Sequence, residues 1–169
     1  KTYPVNSKRQ ARAEKIIAKA KENGRFALLF SEAAELMKEY DVPVSAYWTV
    51  NSPEAIPPGI NYPVALKIDS ADVLHKTEKK GVVLGVADES ELKNIISKMR
   101  ADFPDGNIIA QPMAERGMEL ILGIKKDGIF GSIMLYGMGG IYTEVFKTVE
   151  FFIPIESKDC IMEKLIDGK

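Results

Sequence analysis

The chain has 169 residues, room for one sizeable domain or two small subdomains. A net charge of -1, with 28% charged and 46% apolar residues, is an ordinary globular balance and gives no electrostatic reason to expect nucleic acid as a partner. The single cysteine, Cys160, and the single histidine, His75, exclude an intrachain disulfide and leave too few ligands for the usual nitrogen-and-sulfur zinc site. No apolar run approaches the roughly 20 residues that span a bilayer. Lys1 to Lys8 is too polar for a signal peptide, so a cytoplasmic setting without membrane contact is expected.

Ser7 to Asn23 reads as a helix with Ser7 as its cap, a narrow stripe of Ile16, Ile17 and Ala20, and Gly24 as its stop. A second helix is predicted from Ser31, again as N-cap, to Tyr40, with Ala33, Leu36, Met37 and Tyr40 on its apolar face. Short β-type runs follow, Val44 to Val50 and Val64 to Ile68. The segment between them carries prolines at 53, 57, 58 and 63 and reads as a connector, because each proline removes an amide donor. Leu74 to Val86 suggests a hairpin whose tip, Lys76 to Gly81, is polar.

Asp88 with Glu91 makes a capping-box pattern for a helix carrying Leu92, Ile95, Ile96 and Met99. After the turn Pro104-Asp-Gly106, strands are expected over Ile108 to Met113, Met118 to Lys125 and Ile129 to Tyr136, the last two joined by Lys126-Asp-Gly128. The glycine cluster Gly137-Met-Gly-Gly140 breaks the pattern. Val145 to Ile155 returns to strand, and Ser157 caps a last helix with Ile161, Met162 and Leu165. Helices and hairpins alternate without a βαβ rhythm, which predicts an α+β fold with mainly antiparallel sheet.

Several chemistries are absent. Gly123 to Gly128 is followed by Ile129 and Phe130, so it is no P-loop, and the glycine cluster misses the third glycine of a dinucleotide fingerprint. There is no GxSxG or HExxH, and one histidine with one cysteine gives a protease triad almost no material. What remains is Lys67, embedded in the β run Val64 to Ile68. It either reaches an anion such as phosphate from the strand or points to solvent by simple alternation. The segment Asp72 to Gly81 gathers several cationic side chains and suits a phosphate, or is a solvated hairpin tip. His75 has an imidazole whose ordinary pKa, about 6.5, makes it a phosphorus nucleophile near neutral pH; the alternative is a hydrogen-bonded turn histidine. Glu119 and Glu144 either contact ribose hydroxyls or a metal-nucleotide, or face solvent.

Taken together, Tyr62-Pro-Val-Ala-Leu-Lys-Ile68, Val73-Leu-His-Lys-Thr77, Gln111-Pro-Met113, Gly117-Met-Glu-Leu-Ile-Leu-Gly-Ile-Lys125 and Tyr136-Gly-Met-Gly-Gly-Ile-Tyr-Thr-Glu-Val145 resemble the ATP-grasp region of ADP-forming acetyl- and acyl-CoA synthetases, in the family's order. The helix Glu32 to Tyr40 followed by Asp41-Val-Pro-Val44 is similar to that region's opening element, so the likeness covers about residues 25 to 157. The resemblance implies an ATP-grasp fold, two α+β subdomains enclosing a nucleotide cleft, here incomplete at the C-terminus. Its parts would be an N-terminal helix at 1–24, a first subdomain at 25–113 with a flexible phosphate loop at 74–82, and the start of a second at 114–169.

The resemblance also implies roles. Lys67 would be the phosphate-binding lysine, and Lys76 to Gly81 a cover over the phosphates. Gln111 to Met113 would form the hinge strand against the adenine, with Glu119 as the ribose contact. Gly139, Gly140 and Glu144 would lie near the phosphates or the metal-nucleotide, and His75 would be the phosphohistidine. Members interconvert acyl-CoA, ADP and phosphate with acid, CoA and ATP, with CoA held by a partner domain or α subunit. The main Mg²⁺ ligands are expected beyond Lys169.

This chain departs from the family pattern at Lys80, before the loop glycine, at Pro57-Pro-Gly59, and at Thr148 and Phe152. Those departures keep a second reading open, a non-catalytic nucleotide sensor or a scaffold for an attached domain such as an acetyltransferase.

Overall fold

A computed structural model describes residues 6–71, 81–115, 117–140, 149–153 and 162. The chain forms two compact units, one comprising Pro4–Ala114 and one holding Glu115–Lys169. Every strand pair among the described residues is antiparallel, in agreement with the expected mainly antiparallel sheet.

The first unit opens with helix α1, Ser7–Glu22. Its cap is Asn6, whose side chain accepts from the Arg9 amide at 3.1 Å, and the expected cap Ser7 is the first helical residue. Gly24, at φ 70°, ends the helix in the left-handed region where a side chain would be strained. Helix α2, Phe30–Glu39, also starts one residue early. Ser31, expected as its cap, lies inside it, because the capping group comes from a distant strand.

The four-stranded sheet has the order β1-β4-β2-β3, with β1 Trp48–Thr49, β2 Val64–Asp69, β3 Val82–Val86 and β4 Asn107–Pro112. The strand expected over Val44 to Val50 shrinks to two residues. The pairing Trp48↔Ala110 and Thr49↔Ile109, continued outward, sets Ala46 against Pro112, which has no amide to donate. The strand that pairs with β3 is β2, and residues 72–80 between them, which include most of the expected hairpin tip, lie outside the described residues. Gly85, at φ 74°, sits where β3 has one more residue than β2, the geometry of a β-bulge.

Helix α3, Glu89–Asp102, follows its sequence pattern. Asp88 Oδ1 accepts from the Glu91 amide at 2.8 Å, and the Glu91 carboxylate accepts from the Ala87 amide at 2.8 Å. Leu92, Ile96 and Met99 point inward and meet Val64, Leu66 and Ile68 of β2, with Val50, Val86, Ile108 and Ala110 completing the core. Full burial of each large aliphatic side chain stabilises the unit by about 1.5–3 kcal/mol. Arg100 ties the helix end to the loops by donating to the carbonyls of Asn51, Pro104 and Gly106.

In the second unit, β5 Leu120–Asp127, β6 Gly131–Met138 and β7 Val149–Phe152 form a three-stranded sheet. The β5–β6 turn falls at 128–130, two residues later than expected. Asp127 belongs to the strand and its carboxylate accepts from the amides of Ile129 and Phe130, while Gly131 takes φ 76° at the far side. Of the strand expected over Val145 to Ile155, Val149–Phe152 is described. In the expected last helix Met162 is helical, and the rest lies outside the described residues. No helix among the described residues is long and apolar enough to cross a membrane.

Candidate functional site

Strand alternation sorts β2 onto two faces. Val64, Leu66 and Ile68 face α3, which leaves Ala65, Lys67 and Asp69 on the opposite side. The register Ala65↔Gln111 and Lys67↔Ile109 puts Gln111 of β4 on that same side, diagonally across from Lys67. These are the two central strands of the sheet. Gln111 is 8% exposed, and its Oε1 accepts from Lys67 Nζ at 2.9 Å. Lys67 is half-buried. Among the described residues its partner is therefore neither solvent alone nor a carboxylate, but a neutral amide oxygen.

β4 runs into Met113, whose amide donates to the Pro63 carbonyl at 3.0 Å and whose side chain is exposed. Gly81 is buried at the head of β3, where its carbonyl accepts from the Ile68 amide at 2.9 Å. His75, Lys76 and Glu144 lie outside the described residues.

Asp69 was not singled out by the sequence reading, and it is the most engaged carboxylate on this face. It is 2% exposed. Its Oδ1 accepts from the Phe30 amide at 2.5 Å, and its Oδ2 from the Ser31 amide at 3.1 Å and the Ser31 hydroxyl at 2.9 Å. Leu29, at the N-cap position of α2, has no capping side chain, so a strand residue 39 positions from Phe30 does that work. The detectable signal is an aspartate closing an apolar strand, paired with a helix start that lacks its own polar cap.

The same helix start carries an ion pair. Arg25 donates both guanidinium nitrogens to Glu32 at 2.6 Å, and the two side chains are only 15% and 13% exposed. The Arg25 hydrogen bond holds the Glu32 carboxyl below its ordinary value against the opposing effect of burial, and the Leu29 amide, which donates to Glu32 at 2.9 Å, adds to it. Arg25 is correspondingly raised, with Glu32 as the main cause. An apolar groove of about 310 Å³ lies nearby, lined by Ile17, Ala20, Phe26 and Leu28, but neither Lys67 nor Gln111 lines it.

In the second unit, the β5–β6 pairing brings together two features that are separate in the sequence. Glu119 directly precedes β5, and its carbonyl accepts from the Gly139 amide at 2.7 Å. A Cβ on Gly139 would stand 3.1 Å from the Glu119 carbonyl carbon, and one on Gly140 would stand 2.7 Å from Glu119 Oε2. Gly140 also has φ 60°. Two glycines are therefore needed there, one for close approach of the backbones and one for both the turn and the carboxylate. Glu119 itself is exposed, with its carboxylate against Gly140. Among the described residues no cluster of three or more His, Cys, Asp and Glu could hold a metal ion.

The ATP-grasp domain model matches residues 19–167. The chain belongs to the ATP-grasp family. Within it, the relatives are ADP-forming acyl-CoA synthetases. The chain is 36% identical over 158 residues to the acetate–CoA ligase [ADP-forming] II β subunit of Pyrococcus furiosus, covering 87% of this chain and 67% of that one. It is also 36% identical to acetate–CoA ligase [ADP-forming] I of Archaeoglobus fulgidus, where 88% of this chain covers only 23% of a much longer protein.

Among solved structures, one acetyl-coenzyme A synthetase of Ca. Korarchaeum cryptofilum superposes with a TM-score of 0.76 at 30% identity, covering 93% of this chain and 71% of that one. That protein was solved with coenzyme A and Mg-AMPPCP, its phosphohistidine segment pointing towards the nucleotide binding site. ATP-grasp architecture and kinship to this synthetase family are thus shown for the chain, and it spans from 15% to 73% of the length of the relatives it matches.

Proposed function

We propose that this chain is the nucleotide-handling part of an ADP-forming acyl-CoA synthetase, which passes a phosphoryl group between a histidine and ADP or ATP. The observation that carries the reading is the Lys67 ammonium, half-buried on the central sheet against a neutral oxygen, within an ATP-grasp domain. An ammonium carries three donors, and among the described residues one of them is engaged, by Gln111, so the others suit phosphate oxygens. The main chain of Gln111 to Met113, at the end of β4, would meet the adenine, and Glu119 would accept from ribose hydroxyls. Gly139, Gly140 and Glu144 would lie near the phosphates, with Lys76 and Gly81 in the covering loop. Mg²⁺ would accompany the nucleotide, its main ligands supplied from outside the described residues.

His75 is the proposed carrier. In the direction of ATP formation, a partner domain or α subunit that binds CoA converts acyl-CoA and phosphate to acyl phosphate and CoA. An imidazole nitrogen then takes the phosphoryl group as the acid leaves. The terminal phosphate oxygen of ADP finally attacks phosphorus, giving ATP and free histidine. Each transfer breaks one bond to phosphorus and forms one.

The test is to incubate the full-length protein with ATP labelled at the γ-phosphate and Mg²⁺. An acid-labile, alkali-stable label that disappears in His75→Asn is expected, and an active enzyme that takes up no label refutes the relay.

One observation favours a second reading. Phe152, where the family tends to carry a cation, is 7% exposed and pairs with Met134 across the second sheet, so it supplies packing and no charge. A non-catalytic nucleotide-sensing or scaffold module would bind ADP or ATP, leave His75 unphosphorylated, and tolerate His75→Asn without loss of partner function.

A further inference from the structure

We infer that the Gln111 side chain is a positioning residue for Lys67, and that its neutrality keeps the lysine's full charge available to the nucleotide phosphates. The inference rests on the phosphate-binding reading of Lys67 and adds to it a function for a side chain that the hinge role leaves unused. A hinge strand meets a base through main-chain groups, which do not involve the side chain. The Gln111 side chain is instead turned along the sheet face to Lys67, and its Oε1 accepts from Nζ at 2.9 Å.

Three observations point to charge preservation rather than to a generic polar contact. First, Gln111 is 8% exposed, so its amide is held in place and water does little to screen what it does to its neighbour. Second, Lys67 and Gln111 sit on the two central strands of the sheet, locked by the six-residue register from Val64↔Pro112 to Asp69↔Asn107, so the contact is not an accident of a mobile edge. Third, the residues paired with Lys67 across the sheet, Ile109 and Val82, carry no charge, and the one carboxylate on that face of β2, Asp69, is engaged by the Phe30 and Ser31 amides and the Ser31 hydroxyl.

An amide oxygen fixes the direction of the ammonium while contributing no net charge. A carboxylate in its place would fix the direction equally well, but it would neutralise the ammonium and repel the phosphates. The glutamine thus separates orientation from neutralisation, and the ligand most sensitive to that choice is a nucleoside polyphosphate rather than a nucleoside.

Calorimetric titration of the full-length protein with ADP and, separately, adenosine tests this, using Gln111→Glu, Gln111→Met, Lys67→Met and the Lys67→Met/Gln111→Met double variant. Gln111→Glu is expected to weaken ADP by about tenfold or more and adenosine by less than about twofold. Gln111→Met, close in size and uncharged, is expected to weaken ADP by a smaller factor with the same selectivity, and to have no added effect when Lys67 is already Met. Equal losses for ADP and adenosine in either single variant would show a merely structural glutamine and overturn the inference. So would full additivity of the two Met substitutions. Lys67→Met with unchanged ADP affinity would instead remove the phosphate-binding reading itself, and the inference with it.

Discussion

Replacing Asp69 by alanine removes the acceptor that starts helix α2. The three hydrogen bonds it receives, at 2.5, 3.1 and 2.9 Å, satisfy two amides of the first turn and the Ser31 hydroxyl in a part-buried setting. Loss of an N-cap costs about 1 kcal/mol, and donors left unsatisfied away from water add about 1–3 kcal/mol. The expected destabilisation of the first unit is therefore about 2–4 kcal/mol. Asp69→Asn keeps one acceptor oxygen and should lose about half as much. Trp48, the chain's only tryptophan, lies on β1 in this unit, so its fluorescence in a urea titration reports the right transition. Amide exchange at Phe30 and Ser31 should accelerate in parallel. If Asp69→Ala unfolds within about 0.5 kcal/mol of the parent protein, the range of an ordinary surface change, the strand-to-helix cap contributes nothing and the reasoning fails.

Glu32 predicts an acid dependence. Its folded pKa is lowered, so its contribution is complete above the ordinary carboxylate value of about 4.3 and is lost as pH falls through the lower folded value. Urea titrations from pH 6 downward should show Glu32→Gln with a shallower loss of stability than the parent, and equal slopes would contradict the Arg25 pairing. In the second unit, Gly140→Ala forces a side chain into φ 60° and against Glu119 Oε2, and should destabilise the β5–β6 end by about 1–2 kcal/mol in thermal unfolding. Gly128→Ala, with nothing within 4 Å, is the matched control and should stay within about 0.5 kcal/mol. Ile96→Ala empties a fully buried position between α3 and β2 and should cost about 2–5 kcal/mol by the same urea titration. A change below about 1 kcal/mol there would mean that the core is not packed as described.

Helix α3 was legible residue by residue, and the β5–β6 hairpin as an element two residues out of place, because the interactions that define them are local. Asp88 caps an amide three residues on, and the apolar spacing of Leu92, Ile96 and Met99 is a property of one helix. Even locally, the turn moved by two residues once the Asp127 side chain was seen to accept from Ile129 and Phe130. Lys67, Gln111, Glu119, Gly139 and Gly140 could be named as candidates from motif and order, which determined the family of the chain and the chemistry to look for.

What the sequence could not contain is who meets whom. The Lys67–Gln111 bond spans 44 positions and depends on the β2–β4 register, and a slip by one residue would turn both side chains to the other face. Glu119 meets its glycines only through the β5–β6 pairing. Asp69 displaced Ser31 as the cap of α2 because folding brings a buried carboxylate to an uncapped helix start. Residue type and spacing set the local elements and the available chemistry; long-range contacts decided what holds Lys67, Asp69 and Glu119.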